Sequence, residues 1–243
     1  MHRFFIEDHQ IVDEQVYISG ENHEHMTKSL RVKIGERVEL SNGKGLEYIA
    51  TVQEIDKNQV LLEIIEKTTN SSEMPVKITL YQGLPKATKM DLIVQKTVEL
   101  GVTNIVPVIM ERTIVEMDKK ANKKIERWQK ISEEAAKQSK RGIIPIIKPV
   151  VKLKNIDIEF EKNDLNLIAY ENEDDSNLKK ILEAHNKVQK IGVLIGPEGG
   201  ISEKEAQYLK ELKAKSISLG KRILRTETAG MAALSMLVYH FEL

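Results

Sequence analysis

The spacing of apolar residues changes once along this chain. Over residues 1–72 they fall in short, partly alternating runs: "QVYIS" (15–19), "RVEL" (37–40), "YIATVQEI" (48–55) and "QVLLEII" (59–65). β-Branched residues at a period of two predict strands with one buried face. "SNGKG" (41–45) and "DKN" (56–58) supply the turns between them. "ENHEHMTKSLRV" (21–32) predicts a short helix set among the strands. The sum predicts a small β-barrel, closed off by the polar stretch "KTTNSSEMP" (67–75), whose Pro75 marks a linker.

Beyond the linker, strand and helix patterns alternate. "VKITLYQGL" (76–84), "NIVPVIM" (104–110), "LNLIAY" (165–170), "KIGVLIG" (190–196) and "SISLG" (216–220) predict strands. Between them, "KATKMDLIVQKTVELG" (86–101) places Met90, Ile93, Val94, Thr97 and Val98 on one helical face, with Gly101 as its stop. Further helices are predicted over 119–141, near 177–188, over 202–212 and over 227–241. In the first of these, Ala121, Ile125, Trp128, Ser132 and Ala135 form the apolar stripe, so Trp128 is expected to pack in a core. Alternation of this kind implies an α/β domain on a mostly parallel sheet. The predicted division is a barrel over 1–72 and an α/β domain over 73–243.

Composition narrows the chemistry. With 243 residues, 41% hydrophobic and 30% charged, the chain has the balance of a soluble protein. It has no cysteine, which removes disulfides and thiolate metal sites. No leader-like or membrane-spanning apolar run is present in the sequence, and a cytoplasmic location is expected. The six histidines (2, 9, 23, 25, 185, 240) lack metal-ligand spacing, and no metal is expected. Formal net charge is zero, but residues 1–72 carry −5 and residues 73–243 carry +5. "KKANKKIERWQKISEEAAKQSKR" (119–141) holds 9 basic and 3 acidic residues, a local face suited to a polyanion. A solvated helix face is the plain alternative.

Two loops carry the candidate chemistry. "LIGPEGGIS" (194–202) joins a strand to a helix, the general ligand geometry of an α/β sheet. It matches neither the phosphate-loop spacing nor the dinucleotide fingerprint. Ser202 and Glu205 form a capping box, so the glycines precede the helix rather than open it. Free N–H groups at Gly199 and Gly200 suit a carboxylate or an adenine edge; the alternative is a tight turn. "LGKRILRTETAGMAALS" (219–235) leaves a strand for a helix that opens with Glu227 and then small residues, Ala229, Gly230, Ala232 and Ala233. Arg222 and Arg225 flank two apolar residues there.

These two loops, with "KMDLIVQKTVELGV" (89–102) and "RWQKISEEAAKQSKR" (127–141), resemble the RsmE family. Its members methylate N3 of a uridine in bacterial 16S ribosomal RNA. "RFF", "HMTKSLRVKIGERVEL" and "NGKG" are similar to that family's PUA-like barrel, with Ser29 where a valine is more usual. The resemblance covers nearly the whole chain in order. It implies a SPOUT-type, mostly parallel sheet with a C-terminal trefoil knot, plus a small N-terminal PUA-like β-barrel. Pattern alone does not give a knot, since ordinary folds avoid them.

The resemblance also implies S-adenosylmethionine as cofactor, held by three loops. Their candidate contacts are Ala169, Tyr170 and Glu171; Leu194, Ile195, Gly196, Gly199 and Gly200; and Leu219, Gly220, Ile223 and Leu224. Uridine N3 must lose a proton before it attacks, so a base or a cation is needed. Arg225 is the candidate cation; Glu227 or Glu198 is the candidate base, with capping and loop structure as their alternative roles. Candidate RNA contacts are Arg3, Arg31, Lys86, Lys89, Arg112, Lys137, Arg141 and Arg222, with Lys123, Lys124, Arg127, Lys130 and Lys140 on the basic helix. The implied partners are 16S rRNA within the small ribosomal subunit and a second copy of the chain, paired beside the final helix. A related methyltransferase with another target, or a non-catalytic RNA-binding assembly factor, are the competing readings.

Overall fold

The computed structural model describes residues 1–69, 72–114, 121–170 and 178–243. They form two compact units: Met1–Glu73 with Ala136–Ile144, and Met74–Ala135 with Pro145–Leu243. Among the described residues no helix is long and apolar enough to cross a membrane.

The first unit is a six-stranded sheet built from β1 (His2–Phe5), β2 (Ile11–Val12), β3 (Gln15–Ser19), β4 (Arg37–Ser41), β5 (Leu46–Ile55) and β6 (Gln59–Thr69). Its order is β1-β4-β5-β6-β3-β2, antiparallel except for the β1–β4 pair. The alternation works as the period predicts: Val16 and Ile18 of β3 are fully buried, while Gln15, Tyr17 and Ser19 face out. Val38, Leu40, Ala50, Val52, Val60 and Leu62 complete this core with Phe4 and Met26. The inserted helix is shorter than its pattern. α1 (Gly20–Glu24) runs into a π-helical turn, His25–Leu30, and stops at Arg31, which adopts the left-handed conformation (φ 53°, ψ 45°).

Residues 136–144 belong to this first unit, although the sequence pattern places them with the second. The reason is a polar clamp rather than apolar periodicity. The Arg141 guanidinium donates to Glu73 through Nε (3.1 Å) and Nη2 (2.6 Å). Glu73 also accepts from the Gly142 N–H at 2.9 Å, and Gly45 N–H donates to Gly142 O at 3.0 Å. Arg3 donates to Arg141 O at 2.8 Å while pairing with Glu39 and Glu47.

The second unit is a seven-stranded, all-parallel sheet. Its strands are β7 (Lys77–Gly83), β8 (Asn104–Ile109), β9 (Ile146–Ile147), β10 (Val151–Lys152), β11 (Leu165–Ala169), β12 (Lys190–Ile195) and β13 (Lys215–Ile217). The order is β10-β8-β7-β12-β11-β13, with β9 also on β8. Its helices are α2 (Lys89–Glu99), α3 (Ala121–Gln138, of which residues from Ala136 onward fall in the first unit), α4 (Asp157–Phe160), α5 (Leu178–Ala184), α6 (Glu203–Glu211) and α7 (Thr226–Phe241). Five consecutive residues of β12 are buried, as expected of a central parallel strand covered on both faces. α2 buries Met90, Ile93, Val94, Thr97 and Val98, and Gly101 follows it at φ +90°. It starts at Lys89, later than the pattern suggested, because Lys86–Thr88 form a loop with Ala87 left-handed. α6 has the predicted capping box between Ser202 and Glu205. Trp128 is buried, and its Nε1 donates to Asp91 at 3.1 Å.

Arg141 is only 3% exposed, so Arg141→Met leaves Glu73 with a lost charge partner. Because Glu73 is partly solvated, the expected loss is on the order of 2–3 kcal/mol, below the full range for a buried pair. Urea unfolding followed by circular dichroism measures it; an unchanged midpoint contradicts the clamp.

Candidate active site

The site begins with strand register. β12, β11 and β13 are neighbours and parallel, so their C-terminal ends share one edge of the sheet. Ala169 pairs with Ile195 on one side and with Ile217 on the other. Three loops therefore leave the sheet at one level, the place where α/β sheets receive ligands. They enclose a cavity of about 730 Å³, within the usual range for a small-molecule site.

Each wall has its own cause. Ala169 and Tyr170 continue β11; Ile195, Gly196, Pro197, Glu198, Gly200 and Ile201 continue β12. Residues 217–226 pass along the third side, from Ile217 to Thr226. Gly196 is needed because a Cβ there would come 3.0 Å from both Gly200 C and Ile201 Cγ1. Gly83, at the end of β7, faces Pro197 so closely that a Cβ would lie 2.6 Å from its ring and nitrogen. Gly220 has φ +106°, and no heavy atom lies within 4 Å of where its Cβ would stand.

Thr226 ties the walls together. Its hydroxyl donates to Gly196 O (2.6 Å) and accepts from Gln82 Nε2 (2.9 Å). Gln82 Nε2 also donates to Gly83 O at 3.0 Å. Both side chains and both glycines are buried, so β7, the β12 loop and α7 are held by one small polar network.

Charge is concentrated at one end of the cavity. The Lys89 ammonium lies 3.1 Å from Glu198 and 3.4 Å from Glu227. Glu198 also accepts from the Lys86 N–H at 3.0 and 3.3 Å. Burial opposes ionisation of Glu198, but backbone N–H donors of Glu198 and Lys86 and the Lys89 ammonium outweigh it, and its pKa is lowered. Lys89 is correspondingly held protonated, first by its hydrogen bond to Glu198. Arg225 precedes α7, is exposed, and lines the cavity beside Lys221 and Arg222.

Of the predicted cofactor contacts, Ala169, Tyr170, Ile195, Gly196, Gly200, Leu219, Gly220, Ile223 and Leu224 meet in this cavity. Leu194 does not; strand alternation turns it into the core with Tyr81 and Val106. Gly199 does not either, its carbonyl instead accepting from Arg112 Nη1 at 2.7 Å. Glu171 lies outside the described residues. Among the predicted catalytic residues, Glu198 and Arg225 line the cavity, and Glu227 joins them through Lys89. Sequence reasoning missed Pro197, Ile201, Ile217, Ser218, Lys221, Thr226 and Ala229. Thr226 had a signal, since it stands between Arg225 and Glu227 in the same motif.

The predicted RNA contacts separate into two groups. Arg31, Lys86 and Arg222 are exposed, as are Lys123, Arg127, Lys130 and Lys140. Arg127 pairs with Asp91 at 2.6 Å, and Lys124 and Lys137 are half-buried. Arg3 and Arg141 are not placed for a phosphate: both guanidinium groups are buried against glutamates in the first unit. Arg112 is bound to the glycine loop, and Lys89 to two glutamates.

A cavity of this kind, at the C-terminal edge of a parallel sheet, is the small-molecule site of an α/β domain. The family model for an RNA methyltransferase domain matches residues 72–238, and that for an RNA methyltransferase PUA domain matches residues 18–65. Ribosomal RNA small subunit methyltransferase E of Bacillus subtilis is 36% identical over 251 residues, covering 100% of this chain and 98% of that protein. The same enzyme of Aquifex aeolicus is 38% identical over 197 residues, covering 80% and 82%. The crystal structure of the Neisseria gonorrhoeae enzyme bound to S-adenosyl methionine has a TM-score of 0.88, 35% identity and coverage of 99% and 98%. A Legionella pneumophila methyltransferase in complex with the same cofactor has a TM-score of 0.87, 33% identity and coverage of 98% and 97%. The chain belongs to the ribosomal RNA small subunit methyltransferase E family.

Thr226→Val removes the hydroxyl and leaves the Gly196 carbonyl and one Gln82 donor without that partner. The expected loss is about 2–3 kcal/mol, and Thr226→Ser is expected to retain most of the stability. Thermal unfolding of the two variants side by side checks this; equal losses contradict the network.

Proposed function

We propose that this chain transfers a methyl group from S-adenosylmethionine to N3 of one uridine in the 16S rRNA of the small ribosomal subunit. One observation carries the reading. The three loops that form the cavity leave level strand ends in a chain 35% identical, over 99% of its length, to an enzyme solved with that cofactor.

The residues present fit the cofactor. Ile195, Ile201, Ile217, Leu219, Leu224 and Ala229 supply apolar walls for an adenine, with backbone donors and acceptors between them. Gly220 lines the cavity at φ +106°, a conformation that residues with a side chain rarely adopt. When bound, S-adenosylmethionine supplies an electrophilic methyl group on a positively charged sulfur.

The protein must then position the target and stabilise charge on it. Arg225 stands at the cavity and is the cation we assign to the uridine N3 anion. Of the two candidate bases, Glu198 is tied into the loop, accepting from the Lys86 N–H and facing the Lys89 ammonium, which also lower its pKa and its affinity for a proton. We therefore place Glu227 as the base and Glu198 as an anchor of the glycine loop. Arg222 and Lys221 border the same opening and are suited to RNA phosphates, as is Arg31 on the first unit. The same reading includes a trefoil knot formed by the cavity loops. It also includes pairing of two copies through α7, on which Met236 and Tyr239 are exposed.

Small subunits lacking the modification, labelled methyl donor and mapping of the product test the reaction. Label at N3 of a single uridine is the expected result. Label on another base or on ribose, or cofactor binding with no transfer, overturns it. Arg225→Ala is expected to lower kcat by about 10²–10³ with cofactor binding retained, as for loss of a donor to a developing anion. Calorimetric titration should find Gly196→Ala weakened by roughly tenfold or more toward S-adenosylmethionine, the effect of a one-ångström misfit in a pocket wall.

A further inference from the structure

Lys89 has two charged neighbours from two different elements. It is the first residue of α2 and lines the cavity. Glu198 reaches it from the loop after β12, and Glu227 from the first turn of α7. Glu227 Oε2 is buried and makes no hydrogen bond, so the ammonium 3.4 Å away is its counter-charge. Glu198 also accepts from the Lys86 N–H, at 3.0 Å through the same Oε1. The two carboxylates are therefore closer together than the sum of their distances to Lys89. Without a cation between them they would repel, and the elements that carry them would move apart.

The basic residue looked suited to an RNA phosphate, but two carboxylates already face its ammonium. We propose that Lys89 is a positioning residue for methyl transfer: a shared counter-ion that holds Glu198 and Glu227, and with them the glycine loop and the start of α7, in one arrangement at the donor cavity. The inference rests on the proposed function. It acts through charge, so arginine can substitute and an isosteric apolar chain cannot.

The test compares the wild type with Lys89→Met, Lys89→Arg and the double variant Lys89→Met/Glu198→Gln. Each is assayed for kcat on small subunits lacking the modification, for S-adenosylmethionine affinity by calorimetry, and for RNA affinity against salt. In Lys89→Met kcat is expected to fall by about 30-fold or more, with cofactor affinity changed by less than about threefold. Lys89→Arg is expected to recover most of the rate. The double variant is expected to be faster than Lys89→Met, because one of the two repelling charges has gone. Recovery on removing a second charge is a signature that a purely packing role lacks.

Three results overturn the inference alone: an unchanged kcat in Lys89→Met, a loss that neither arginine nor the second substitution relieves, or a loss confined to RNA affinity with a salt slope lower by about one. A wild type that transfers no methyl group overturns the proposed function itself, and the inference with it.

Discussion

The pairing of Ala169 with Ile195 on one side and Ile217 on the other is the constraint on which the site depends. Parallel strands send their C-terminal ends the same way, but only level registers bring three loops to one height. A shift of one residue in β13 would also exchange its buried and exposed faces, turning Ile217 out of the core. The cavity is thus a consequence of sheet geometry before any side chain contributes chemistry. The apolar walls come with it, since the last residues of β12 and β13 are core isoleucines.

Holding those loops closed needs polar contacts, because loops lack a buried apolar face of their own. Thr226 joins the start of α7 to the glycine loop and to β7; Arg112 holds the same loop from β8's end through Gly199 O. Glu205 accepts from Glu111 N–H at 2.7 Å while capping α6, so one carboxylate serves a helix start and a neighbouring loop. Lys89 adds the charged tie between α2, the glycine loop and α7. Backbone proximity does the rest: Gly83 and Gly196 let chain lie against chain where any Cβ would intrude. These contacts come from residues far apart in sequence.

Much of the fold was legible because it follows from periodicity. The stripe on α2, the buried run of β12, the capping box at Ser202 and the stop at Gly101 are local patterns, and each appears where its residues predict. β2, β9 and β10 were not foreseen; at two residues each they are too short to show a period. The return of residues 136–144 to the first unit rests on Arg141 and Glu73, a pair 68 residues apart that no local pattern reveals. The same blindness misread the cations. Arg3, Arg112 and Arg141 count as basic in a sequence, yet each is engaged by carboxylates or a carbonyl once the chain is folded. The cavity loops were identified mainly through their motifs; Thr226 stands within one of them, but its bonds to Gly196 O and to Gln82, 144 residues away, follow only from the fold.

Hydrogen–deuterium exchange with and without S-adenosylmethionine tests the central claim most directly, that the level ends of β11, β12 and β13 form the methyl-donor site. Protection should appear together in residues 196–201 and 218–226, and be absent from the strands of the first unit. Saturating cofactor that leaves both segments unprotected, or protects the first unit instead, contradicts the account.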